Sequence, residues 1–338
     1  MIVSLRWIRL LANFCFFVIL VICALNYKTS VYLIYQAKGQ ILFLWNTQPI
    51  ETFAQKTEIS PKEKDNIRLI AEIKKYSVDS LAYDHTKNFT DIYDQKGEPV
   101  LWVITACEPY ELKPFEWKFP VVGRVSYKGF FEKDLANKEY THMIASGYDA
   151  DLRSVSAWST LGWFHDPVLS SMIKRSKGSL CNLVFHELFH ATYYAASSVN
   201  FNENIANFIA HKATLRFLAN DSSALMEYVR NYSDNLIFKN YMLRRITYLK
   251  KFYGLNQNNK DKYALKLSAI SQIADSIDDL PLADKSRYLP RKKEILKFKN
   301  AYFVDFVQYD SMQDSLEEVF NKIYKGNIEK MVQDLKLN

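Results

Sequence analysis

Two of the chain's six histidines stand four apart, in His186-Glu187-Leu188-Phe189-His190. On a helix that spacing puts both imidazoles on one face, within reach of a single metal ion. Glu187 sits one step round, able to address a water on that ion without being a ligand. Such sites take a third protein ligand and keep a position open for water. Glu203, in Phe201-Asn202-Glu203-Asn204, is the candidate for it. The chemistry is hydrolysis: one Zn2+ per chain activates a water, and Glu187 acts as general base. His211, two helical turns beyond Glu203, is the reserve ligand.

These residues need a buried helix to hold them. Residues 180–196 are apolar nearly all round, the pattern of a helix inside a domain. Two histidines and a glutamate there without partners would cost on the order of several kcal/mol. A bound cation satisfies all three; hydrogen-bonded core histidines are the alternative. Ser197-Ser198-Val199-Asn200 reads as a polar turn, and Asn202 as the N-cap of a helix whose first turn carries Glu203. A carboxylate in a first turn is also favoured by the helix dipole alone, with no metal.

Residues 117–131, the stretch Ala157-Trp158-Ser159-Thr160-Leu161-Gly162-Trp163-Phe164-His165-Asp166-Pro167, the His-Glu-x-x-His segment and Phe201-Asn202-Glu203 follow one another in a telling order. In that order they resemble the bacterial predicted aminopeptidase family of membrane-associated zinc metallopeptidases, from about Tyr35 to about Ala301. The resemblance implies a zincin-like metallopeptidase fold, with ligands His186, His190 and Glu203 and catalytic carboxylate Glu187. It also implies a peptide or protein substrate. Lys118 and Arg124 stand where relatives carry cysteine, so a disulfide there is absent, and His165 stands where an acidic residue is usual. A zincin presents an edge strand to its substrate, which adds to it by main-chain hydrogen bonds. Residues 157–162 are the candidate strand, with Ser159, Thr160 and Gly162 as substrate-binding positions. Asp166 either meets the substrate ammonium or shapes the turn before Pro167. Tyr127, Tyr193 and Tyr194 are candidates for the second donor to the oxyanion, unranked.

The fold class is mainly α with a small β-sheet (α+β). Nine glycines in 338 residues is few, which favours helices over a loop-rich β architecture. Ser60-Pro61 reads as a helix start, N-cap then first helical position. Residues 100–106, 119–125 and 154–160 read as strands, in a β-containing part over about 95–165. Helices dominate from about 179 to 338, broken by loops at 256–259 and 278–281.

Hydrophobic residues at 49% and aromatics at 15% exclude a disordered chain. The net charge of +7 gathers on helical stretches such as 242–251 and 288–293, read first as solvated faces and next as contacts to acidic phospholipid. No binding motif accompanies the charge, so nucleic acid is not an expected partner. Arg6 and Arg9 precede an apolar run over 10–25. Residues 1–29 therefore read as an uncleaved signal anchor, with a cleaved signal peptide as the alternative. The arginines favour a cytoplasmic N-terminus. The domain over 30–338 would then be exported, on the periplasmic side of a bacterial inner membrane held by one span. Cys181 reads as a small buried residue, with a Cys107–Cys181 disulfide as the alternative. Two readings of other classes stay open: a membrane-anchored scaffold on an inactive peptidase fold, and a metal hydrolase of a non-peptide bond.

Overall fold

The computed structural model describes residues 25–119, 123–155, 165–195, 198–256, 258–308 and 312–337, with Arg9, Asn13, Phe14 and Phe17. It is mainly helical with small sheets. Helix α1 (Tyr27–Trp45) leads through β1 (Thr47–Pro49) and a short α2 (Ile50–Ala54) to α3 (Pro61–Leu81). The start of α3 has Ser60 as N-cap and Pro61 in the first position, as its sequence predicts; the structure adds a capping box, in which Ser60 accepts from the Glu63 N–H and Glu63 reaches back to the Ser60 N–H. Ile67, Ile70, Ile73 and Leu81 on α3 are buried. Each such side chain contributes roughly 1.5–3 kcal/mol by burial.

The β part follows as β2 (Asp91–Tyr93), β3 (Trp102–Cys107), β4 (Trp117–Phe119), β5 (Gly123–Val125) and β6 (Tyr127–Phe130). Helix α4 (Lys133–Ala145) separates these from β7 (Asp149–Ser154) and β8 (Val168–Leu169). Strand β3 is central to an antiparallel sheet of order β6-β3-β7, while β1-β2-β8 forms a second sheet and β4-β5 a hairpin. Strands therefore lie outside 95–165 as well as inside it. The reading of 119–125 as one strand is corrected: Trp117 pairs with Val125 and Lys118 with Arg124, so the chain reverses between them. Gly123, at φ +80°, supplies a backbone that other residues adopt at a cost. Strand β7 ends at Ser154, and most of the strand expected over 154–160 lies outside the described residues. The acidic Asp149-Ala150-Asp151-Leu152-Arg153 of β7 is not an apolar run in the sequence, and in the fold it packs against α4 and helices of the C-terminal part.

The helical part runs through α5 (Lys177–Thr192), α6 (Val199–Phe217), α7 (Ser222–Asn256), α8 (Lys262–Asp275), α9 (Leu289–Phe298), α10 (Asn300–Gln308), α11 (Gln313–Lys322) and α12 (Ile328–Leu337). Helix α5 packs against α3, α6 and α7, with Leu180, Cys181, Val184, Phe185, Leu188 and Phe189 buried. Below the β6-β3-β7 sheet, buried Lys266 of α8 pairs with Asp149, whose carboxylate also accepts the Asn300 N–H at 3.0 Å. That network ties the sheet to the C-terminal helices. Cys107 and Cys181 are both buried and free, so the alternative disulfide does not form. Burial pushes the Cys181 thiol up to about 12.

Gly178 sets how closely α5 approaches α7. A Cβ added there would stand 2.6 Å from the Cβ of Tyr228, an atom that cannot swing away. Gly178→Ala is therefore expected to destabilise the fold by about 1–3 kcal/mol, the cost of overpacking. Thermal unfolding should show this as a melting point several degrees lower; an unchanged one would mean the helices separate freely.

Candidate metal centre

Helices α5 and α6 bring together the four residues singled out in the sequence. His186 and His190 stand on successive turns of α5 with their Nε2 atoms 3.1 Å apart. Glu203 of α6 offers Oε2 to His186 Nε2 at 3.4 Å and Oε1 to His190 Nε2 at 3.4 Å. One carboxylate oxygen faces each imidazole, and one donor atom from each residue lies within 4.8 Å of the others, close enough to share a single cation. Among the described residues this is the single grouping of three such ligands, all within 4.8 Å of one another. The triad can hold a metal ion.

How Glu203 gets there differs from the sequence reading. Helix α6 begins at Val199 with Ser198 in the capping position, so Glu203 sits in the second turn. Asn202 is not a cap. It is buried, and its amide donates to the Ala195 carbonyl and accepts the Ala195 N–H, both at 2.8 Å. One side chain thus staples the α5–α6 connection and fixes where Glu203 points. One turn after Glu203, the Asn207 side chain hydrogen-bonds to His186. Sequence reasoning read Asn202 as a cap and passed over Asn207. The available signal was amides recurring in an otherwise apolar helix, since a buried amide needs partners.

The electrostatics follow from burial and proximity. Burial opposes charge on His186, yet the hydrogen bond and charge of Glu203, the charge of Glu187 and the Asn207 bond outweigh it and hold its pKa above normal. Burial acts against Glu203 too, but its two histidine hydrogen bonds bring it down to about 2. Glu187 is raised, first by burial and then by Glu203 and Asp166, against the pull of the two histidines. A carboxylate raised in this way is a better proton acceptor than a free one.

Other predicted positions divide. Tyr127 opens β6 and is half-exposed. Its hydroxyl is raised by burial, then by Tyr194 and Glu203, which places it in the field of the triad and keeps it protonated. Tyr194 is partly exposed, its ring centroid 6.0 Å from that of His190. Tyr193 turns away, packing between Phe189 and Phe201. Asp166 is buried within the electrostatic reach of Glu187, its backbone fixed by Asn88 Oδ1 accepting its N–H at 3.1 Å and by the Phe89 N–H donating to its carbonyl at 2.8 Å. The turn reading of Asp166 and the site reading are therefore compatible. Ser159, Thr160 and Gly162 lie outside the described residues.

His211 is no ligand of this group. Its Nδ1 meets the Tyr228 hydroxyl at 2.9 Å and its ring stacks on Tyr232 at 3.8 Å. Burial, with Lys212 nearby, lowers it to about 4, so it stays neutral between the two tyrosines. Two turns along α6 carry it to another face of the helix, where aromatic packing replaces a cation.

A family model described as putative aminopeptidase matches residues 31–337. No curated protein and no solved structure matches the chain. The match spans both metal-ligand helices and the sheet beside them, and by it the chain belongs to the putative aminopeptidase family.

Proposed function

We propose that the protein is a zinc-dependent metallopeptidase that removes residues from peptide N-termini. The observation that carries this reading is the triad: two Nε2 atoms and a carboxylate at 3.1, 3.4 and 3.4 Å, with Glu187 on the same helix turn. Two neutral imidazoles and one carboxylate are the donor set of catalytic rather than structural zinc. Bound there, zinc supplies Lewis acidity and makes water acidic near neutral pH.

The chain's own groups do the rest. Glu187 accepts the proton of the attacking water and returns it to the leaving amine. Asn207 holds the His186 ring in one orientation, as metal-binding histidines require. Tyr127 donates to the oxyanion as it develops, with Tyr194, against His190, as the second candidate donor. Asp166 receives the substrate ammonium beside the scissile bond, which is what would make the enzyme an aminopeptidase. The test is hydrolysis of aminoacyl anilides by the full chain against their N-acetylated counterparts. Cleavage confined to free amines supports the reading; preference for blocked peptides points to an endopeptidase.

Tyr127→Phe is expected to lower kcat by roughly 10²-fold, with KM and metal content little changed. Tyr194→Phe should have the smaller effect, because its ring lies against His190. An unaltered kcat in Tyr127→Phe would remove that residue from the mechanism.

The signal anchor over 1–29 falls largely outside the described residues. Among those described, no helix is long and apolar enough to cross a membrane. Inner-membrane attachment with the domain exported rests on the N-terminal sequence, and protease accessibility in spheroplasts tests it.

A further inference from the structure

Helix α1 is gripped along one face only. The Tyr32 hydroxyl donates to the Gly129 carbonyl of β6 at 2.9 Å. Phe43 is buried against Tyr93, ring centroids 4.7 Å apart. At Gly39 a Cβ would run into the Phe131 side chain, so helix and domain touch closely there. Positions 32, 39 and 43 share a face at helical spacing. Phe43 is the one fully buried residue of the 19 in α1.

The opposite face is apolar and open. Tyr27, Ile34, Ile41 and Trp45, spaced seven, seven and four apart, are 68%, 67%, 62% and 84% exposed. Leu33 and Leu42 flank this stripe, also about half exposed. Because the inward face is pinned, the stripe cannot turn into the core. A soluble monomer rarely shows so continuous an apolar surface without a use for it.

We propose that this face of α1 lies in the interfacial plane of a phospholipid bilayer. Three observations select lipid over a second copy of the chain. In the sequence the stripe directly follows the apolar run over 10–25, of which the described Phe14, Phe17 and Leu25 are exposed as well. Its two ends are aromatic, Tyr27 and Trp45, the residues that settle at the headgroup level. A helix of this length is about 28 Å long and about 10 Å wide. That offers roughly 300 Å², where a stable protein interface needs about 800 Å² from each partner. Lys38, within the stripe and 3.4 Å from Glu132, has the long stem that lets its charge reach headgroups. The net charge of +7 favours anionic lipid. Since α1 holds Gly129, two residues from Tyr127, the bilayer would set the height of the strand that borders the metal cleft.

The arrangement is independent of peptidase activity. The experiment reads it locally. Nitroxide labels are placed by Ile34→Cys, Ile41→Cys and, as an aqueous control, Leu255→Cys, in the full chain with Cys15 and Cys23 replaced by serine. The protein is reconstituted in phosphatidylethanolamine–phosphatidylglycerol vesicles. Labels at 34 and 41 should collide several-fold more with oxygen, relative to a nickel chelate, than the label at 255. Equal exposure to the chelate at all three sites would overturn the proposal. So would dipolar broadening between labels at 34 on different chains, which would assign the stripe to a second copy.

Discussion

Glu187→Gln is expected to leave the chain folded and metal-loaded while lowering kcat by roughly 10²–10⁴-fold, the range for loss of a general base. The substitution keeps the shape of a half-buried side chain on α5 and touches none of the three donor atoms. It removes only the capacity to take a proton. Glu187 is the carboxylate that burial and its acidic neighbours Glu203 and Asp166 raise, whereas Glu203 is brought down to about 2 by its histidines. Two carboxylates pushed apart in this way divide the work into base and ligand. Metal analysis beside the kinetics decides the point. Loss of activity together with loss of metal would make Glu187 a ligand, and retained activity would remove it from the reaction.

The second large effect is the pH dependence of stabilisation by zinc. Without metal, Glu203 has a folded pKa of about 2 against 4.5, so its contribution is present above about pH 4.5 and lost as pH falls towards 2. His186 is raised above 6.5, so its contribution is full below that value and lost as pH rises through the folded pKa. The metal-free triad thus helps most between about pH 4.5 and 6.5, as a protonated histidine on a carboxylate. Zinc needs the same histidine neutral, so binding displaces a proton and strengthens with rising pH. One displaced proton is worth about 1.4 kcal/mol per pH unit. The melting-point gain from zinc over chelator should therefore grow by several degrees between pH 5.5 and 7.5. A gain independent of pH would show that no proton is released, and so that His186 is not where the metal goes.

What the sequence disclosed follows the range of the interactions involved. The pair His186 and His190 is local: four residues apart on a helix is contact, wherever the helix sits. The helix start at Ser60 and Pro61 was legible for the same reason. Glu203 was legible as a residue type but not in its placement, because the Asn202 staple to Ala195 turns an expected cap into a buried clamp. The ranking of Tyr127 over Tyr193 needed the tertiary structure, which sets Tyr127 in the field of Glu203 and packs Tyr193 between Phe189 and Phe201. Parallel pairing of β2 with β8 joins Ile92 to Val168, a distance in sequence that no local pattern encodes. The strand β7 hid for a physical reason: Asp149 and Asp151 are strand residues only because Lys266, Asn300 and Arg153 stand ready to meet them. The exposed stripe of α1 shows the converse. Nothing in the sequence assigns its apolar residues a direction, and the pinned face at Tyr32, Gly39 and Phe43 turns them outward.

The central claim is a three-ligand zinc centre built from α5 and α6. Elemental analysis of the purified full chain, beside Glu203→Ala, tests it most directly. About one zinc per native chain, with little or none in the variant, is the predicted result. A native chain that carries no metal and takes up none when zinc is supplied would contradict the account, and equal zinc in both proteins would contradict the ligand set.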